Sequence, residues 1–92
     1  MIQQTTHDAY QTIKPRASTL RGLVLAYISE CGNNGSTDEE TQRALGMNPS
    51  TQRPRRLELE ELGYVFASGF VRQTTSGRNA IVWVAKPQQF IR

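Results

Sequence analysis

Between Asn48 and Arg56 the chain reads Asn-Pro-Ser-Thr-Gln-Arg-Pro-Arg-Arg. Short hydroxyls, two amides and three guanidinium groups are thus gathered into one short stretch. A guanidinium is a planar fork of donors that matches two phosphate oxygens or the edge of guanine, and a primary amide can match adenine in the same two-point way. Gln52 is therefore a candidate for adenine, and Arg53 or Arg56 for guanine. Ser50 and Thr51 suit phosphate oxygens or base edges, and Asn48 and Arg55 complete this candidate set, although Arg55 and Arg56 cannot both face DNA and at least one of them is expected to be structural. A second set lies downstream: Arg72, Ser76, Arg78 and Lys86, with Gly77 between Ser76 and Arg78 to permit close approach.

The charge pattern supports reading these two sets together. The chain has 92 residues, a net charge of +3, and a pI near 9.5. Arginine outweighs lysine heavily, with Lys14 and Lys86 the only lysines. Residues 48–56 carry three positive charges and no acid, residues 57–63 carry Glu58, Glu60 and Glu61, and residues 64–92 again have no acid. Basic zones set off from acidic ones are the footprint of a face that meets a polyanion. The competing reading is a set of ordinary solvated arginines.

Composition closes off other chemistries. One histidine (His7) and one cysteine (Cys31) cannot build a structural zinc site or an internal disulfide. No nucleophile, base and orienting group fall together, so no enzyme is expected, and no cofactor. The acids Asp38, Glu39 and Glu40 invite a metal, but a helix N-terminus explains them without one. The longest apolar run, Leu23 to Ile28, is far short of a membrane span. The first ten residues lack the basic-then-apolar order of a signal peptide, so a cytoplasmic location is expected.

The elements that must position the basic groups follow from periodicity. Residues 1–16 read as an arm with a short helix capped by Thr5 or Thr6 and stopped by Pro15; Tyr10 and Ile13 either pack within the monomer or form a homodimer contact. From Ser18 or Thr19, Leu20, Leu23, Val24, Tyr27, Ile28 and Cys31 recur at helical spacing, with Gly32 closing the helix and Cys31 read as a small buried hydrophobe. Ser36 with Glu39, or Thr37 with Glu40, fits a capping box for a second helix that ends at Gly46. Asn48 caps a third helix with Pro49 in its first position, Leu59 and Leu62 on its buried side, and Gly63 at its end. Pro54 either bends that helix or sits in the first turn of one that starts near Thr51. After Gly63 the period becomes two, and residues 65–74 and 80–86 read as a hairpin around Thr75-Ser76-Gly77-Arg78-Asn79, with Trp83 in its core side. Residues 87–92 form a tail whose Phe90 is loose or packs on the body.

Three helices followed by a hairpin make an α+β winged helix-turn-helix spanning residues 17–86. In that arrangement the third helix enters a major groove by its N-terminal half, and the hairpin tip lies on the flanking backbone or minor groove. Roughly four to six phosphate contacts would give a slope of about −4 to −5 in log K against log salt.

The runs TDEETQRALGMNPSTQRPRRLELEELGYV and TTSGRNAIVWVA, with the opening AYQTIKPRASTLRGLVLAYI, resemble the small winged helix-turn-helix proteins that bacteriophages encode. The shared pieces are T-D-E-E, A-L-G-M-N-P-S-T, R-P-R-R, E-L-x-x-x-G and S-G-R-x-A-x-V-W, over roughly residues 9–86. The resemblance implies double-stranded DNA as partner, positions 50–56 as the recognition face, Arg78 as the wing residue, a regulatory or accessory role, and the host bacterial cytoplasm as location. Thr41 departs from it: the family carries an aliphatic residue there, so a weaker grip of the second helix on the core is expected.

The rival class is a protein-interaction module that binds a host or phage protein such as a polymerase. Convergence of Arg53, Arg56 and Arg78 on one side would favour DNA; an exposed patch of Leu57, Phe66 and Phe70 would favour a protein partner.

Overall fold

The structure is a computed structural model that describes residues 16–85. The arm with His7, Tyr10 and Ile13, Lys86, and the tail with Phe90 lie outside the described residues. The architecture is α+β: three helices, α1 (Ala17–Cys31), α2 (Asp38–Leu45) and α3 (Pro49–Leu62), precede an antiparallel hairpin of β1 (Val65–Gln73) and β2 (Asn79–Ala85). This order is compatible with a winged-helix layout. No described helix is long and apolar enough to cross a membrane.

Local chemistry explains the helix boundaries. α1 starts at Ala17, ahead of the Ser18 or Thr19 start expected from sequence, with Arg16 at the N-cap position and no side-chain bond to the helix end. For α2 the two possible capping boxes resolve to one: Thr37 Oγ1 accepts from the Glu40 amide at 3.1 Å, and Glu40 Oε1 accepts from the Thr37 amide at 3.1 Å. Gly46 ends α2 in the left-handed region (φ 63°, ψ 32°), which lets the chain reverse within three residues into α3. Asn48 Oδ1 accepts from the Thr51 amide and caps α3, with Pro49 in its first turn. α3 thus begins at Pro49 and runs continuously past Pro54, so the later start near Thr51 does not occur.

Leu20, Val24 and Ile28 form the inward stripe of α1 and pack with Met47, Leu59, Val65 and Trp83. Each such aliphatic side chain contributes on the order of 2 kcal/mol when removed from water. Four expected members differ: Leu23 is 39% exposed and Tyr27 only half-buried, and the other two are Leu62 and Cys31. Leu62, the last helical residue, is 61% exposed, and Cys31 is only half-buried. Thr41, by contrast, is fully buried despite its hydroxyl. Its Oγ1 lies 2.7 Å from Ser36 Oγ and donates to the Thr37 carbonyl at 3.0 Å, so the polar atom is satisfied and α2 stays seated.

The hairpin is more tightly bound to the helices than a free β-ribbon. Ser36, between α1 and α2, forms a one-residue antiparallel bridge with Trp83, through backbone bonds of 2.9 and 2.8 Å. Gly35 permits this approach: a Cβ there would meet Val82 Cγ1 at 2.5 Å and the Trp83 carbonyl at 2.6 Å, on a backbone with φ 64°. The pairing is also not a plain period-two ladder. Ala67 pairs with Trp83 and Val71 with Ile81, so β1 takes four steps where β2 takes two. The resulting bulge contains Ser68, Gly69 and Phe70, and it leaves Phe70 73% exposed.

Candidate nucleic-acid interface

The arrangement of α3 decides which basic groups reach solvent. Its inward stripe is Gln52, Arg56 and Leu59, at i, i+4 and i+7, with Arg55 beside it. Its outward side carries Ser50, Arg53, Pro54 and Leu57, all exposed.

Gln52, expected at an adenine edge, is wholly buried. Its Oε1 accepts from Gln42 Nε2 at 2.9 Å, and its Nε2 donates to Asp38 Oδ1 at 3.1 Å. It is a joint between α2 and α3, not a base reader, because both ends of its amide are used internally. Arg56, expected at guanine, is consumed in the same joint. Its Nε and Nη2 donate to the two Asp38 carboxylate oxygens at 3.0 and 2.8 Å, its Nη1 donates to Glu60 at 3.1 Å, and its guanidinium lies 4.2 Å over the Trp83 ring. The hydrogen bonds to Asp38 hold this guanidinium even more firmly protonated than usual.

Arg55 and Arg72 are likewise engaged. Arg55 donates to both oxygens of Glu58 at 2.9 and 2.6 Å, and Glu58 also accepts from Arg21 at 3.0 Å, which ties α3 to α1. Those donors, Arg55 first, hold the Glu58 carboxyl below the usual range. Arg72 donates to Glu40 at 2.8 and 2.6 Å and to the carbonyls of Asn34 and Gly35, which pins β1 to the loop before α2. The Glu40 carboxyl is lowered, chiefly by Arg72. Phosphate contacts by Arg55, Arg56 or Arg72 would require these bonds to break, and the expected count of four to six contacts falls accordingly.

Arg53 and Arg78 are different. Both are exposed, and neither forms an ion pair with a carboxylate among the described residues. They line one open cleft of about 530 Å³ between the start of α3 and the hairpin tip. Ser76, Pro49, Thr74, Asn79, Gln42 and Glu39 complete its lining. The tip is held in place by a turn in which the Gly77 amide donates to the Thr74 carbonyl at 2.9 Å and the Thr74 amide to the Arg78 carbonyl at 2.8 Å. It is also clipped to α2: the Thr75 amide and hydroxyl donate to the two Glu39 oxygens at 3.1 and 2.7 Å. These bonds keep the Glu39 carboxyl below its usual range, and Arg43 stands 3.8 Å away. The one carboxylate in the cleft therefore has its oxygens occupied and a cation beside it.

Of the other expected residues, Asn48 and Ser50 are exposed, with Ser50 Oγ donating to Asn48 Oδ1 at 2.8 Å, and Thr51 is half-buried. Glu39, Gln42, Pro49, Thr74 and Asn79 were not foreseen as lining. Thr74 and Asn79 flank the tip and were open to inference; Gln42 was not, because its place depends on how α2 crosses α3.

The fold and cleft define a class of domain, three helices and a hairpin with two exposed arginines at their junction. The chain was compared with protein-family models, with curated proteins and with solved structures, and nothing matches it.

Proposed function

We propose that this is a winged helix-turn-helix domain that binds double-stranded DNA, with the exposed side of α3 toward the major groove and the hairpin tip, as the wing, on the adjacent backbone. One observation carries the reading: Arg53 and Arg78, twenty-five positions apart in the chain, line the same cleft without carboxylate partners among the described residues. Two exposed guanidinium groups, one on the N-terminal half of a helix and one at a hairpin tip, suit the edge of a groove, where phosphates and base edges lie side by side. The resemblance to phage proteins adds a regulatory or accessory role. A gel-shift titration at about 50 mM salt tests it, since backbone contacts are strongest at low ionic strength. Retarded duplex with the wild type and loss with R53A/R78A is the expected result; no retarded duplex with the wild type defeats it.

A second reading, a protein-binding module, is favoured by a separate observation. Leu57, Phe66, Phe70, Val71 and Ile81 are all exposed, with Val71 and Ile81 directly paired across the hairpin. Exposed apolar groups in such number mark a contact surface when they are contiguous. If Phe70→Asp abolishes the protein's biological effect while duplex binding is unchanged, this second reading prevails.

A further inference from the structure

We infer that duplex recognition by this domain is of the backbone kind, tolerant of sequence, with Arg53 as the single long polar side chain of α3 placed to read a base. This rests on the DNA-binding reading above and sharpens it to a substrate class: duplex DNA of general sequence, not one operator.

The argument is an inventory of what α3 can offer a groove. Gln52 has both ends of its amide bonded inside the protein, and Arg56 is spread across Asp38, Glu60 and the Trp83 ring. Arg55 is chelated by Glu58. Over the part of α3 that would enter a groove, from Pro49 to Leu57, what faces solvent is Pro49, Ser50, Arg53, Pro54 and Leu57; the exposed Glu60, Glu61 and Leu62 lie at its far end. Two of these are prolines and one is leucine, which can touch a thymine methyl but present no donor to an edge. Ser50 is short and already donates to the Asn48 cap, whose Oδ1 also accepts from the Thr51 amide. Only Arg53 has the length and the free two-point fork that guanine readout needs.

The consequence is quantitative. A single good bidentate contact separates right from wrong base by about 5- to 150-fold, whereas operator-selective proteins reach about a thousandfold or far more over general DNA. Arg78, on the hairpin tip, adds affinity through phosphate without adding sequence information. The domain is therefore suited to an accessory or architectural part on DNA.

The test is a selection from a random duplex pool with the full chain, followed by titration of the unselected pool and of the most enriched duplex at the same salt. The expected ratio of affinities is below about 150-fold, and R53A, whose exposed side chain leaves the fold intact by circular dichroism, brings that ratio close to one. A ratio of about a thousandfold or more, or an unchanged ratio in folded R53A, overturns the inference while leaving duplex binding standing. Absence of binding to either duplex at about 50 mM salt overturns both this inference and the reading beneath it.

Discussion

Arg56→Ala separates a structural arginine from a DNA-facing one. The side chains of Arg56 and Asp38 are only 15% and 18% exposed, and two hydrogen bonds join them. Removing one partner of a fully buried ion pair costs about 3–5 kcal/mol, because the other charge is stranded. Residual solvent access at both groups reduces this to about 2–3 kcal/mol. Loss of the guanidinium over Trp83 adds about 0.5–1 kcal/mol, and the half-exposed Glu60 pair adds little. A total near 3 kcal/mol lowers the melting temperature of a domain this size by about 12–24 °C. Most of the variant remains folded at 25 °C if the parent lies within the usual range of about 5–14 kcal/mol. Thermal unfolding by circular dichroism measures the first quantity, and fluorescence anisotropy of a labelled duplex below the transition measures binding, which is expected to stay within about threefold of wild type. Asp38→Ala gives a comparable loss, and the double variant costs much less than the two singles added, as for any pair in direct contact. An Arg56→Ala protein that melts within about 3 °C of wild type yet loses about tenfold or more in binding would refute the reasoning and return Arg56 to the DNA face.

Three further outcomes follow from the same geometry. Arg53 and Arg78 together contribute at most about −2 to the salt slope of duplex binding, and Arg78→Ala reduces its magnitude by about 0.9 while weakening all duplexes by a similar factor; an unchanged slope in that variant contradicts the phosphate contact. The carboxyls of Glu39, Glu40 and Glu58 lie below their ordinary 4.5 in the folded protein, so their contribution to stability is complete above that pH and is lost as pH falls through the lower folded values. The melting temperature is therefore expected to fall between about pH 5 and about pH 3, and less steeply in Glu40→Gln; equal steepness in that variant argues against the Arg72 pair. Gly35→Ala forces a Cβ to 2.5 Å from Val82 Cγ1 and 2.6 Å from the Trp83 carbonyl, and destabilisation of at least about 2 kcal/mol is expected by urea unfolding. A change below about 0.5 kcal/mol there means the Ser36 bridge is not a fixed part of the fold.

The order of elements was legible in the sequence because each has a local cause. The Thr37/Glu40 box, the Asn48-Pro49 start, Gly46 and the change of period after Gly63 all act within a few residues. The bulge at Ser68–Phe70 and the Ser36–Trp83 bridge were not legible, since both depend on which strands meet. The site was legible only in part. Extending the inward stripe of α3 back from Leu59 by three and seven positions gives Arg56 and Gln52, so their burial had a sequence signal. It was masked by the polarity of those residues, which looks like surface until their partners Asp38 and Gln42 are supplied by α2. Arg72 is masked in the same way: Glu40 and the Gly35 carbonyl reach it only through the fold. Arg53 and Arg78 reach solvent because they stand on the outer side of a helix and at the tip of a hairpin.

Arginine side-chain signals in the nuclear magnetic resonance spectrum, followed as duplex DNA is added, test most directly which guanidinium groups are available. The account predicts that the Nε–Hε signals of Arg53 and Arg78 shift together, while those of Arg55, Arg56 and Arg72 keep their positions. Movement confined to Arg55, Arg56 or Arg72, with Arg53 and Arg78 unmoved, would contradict it.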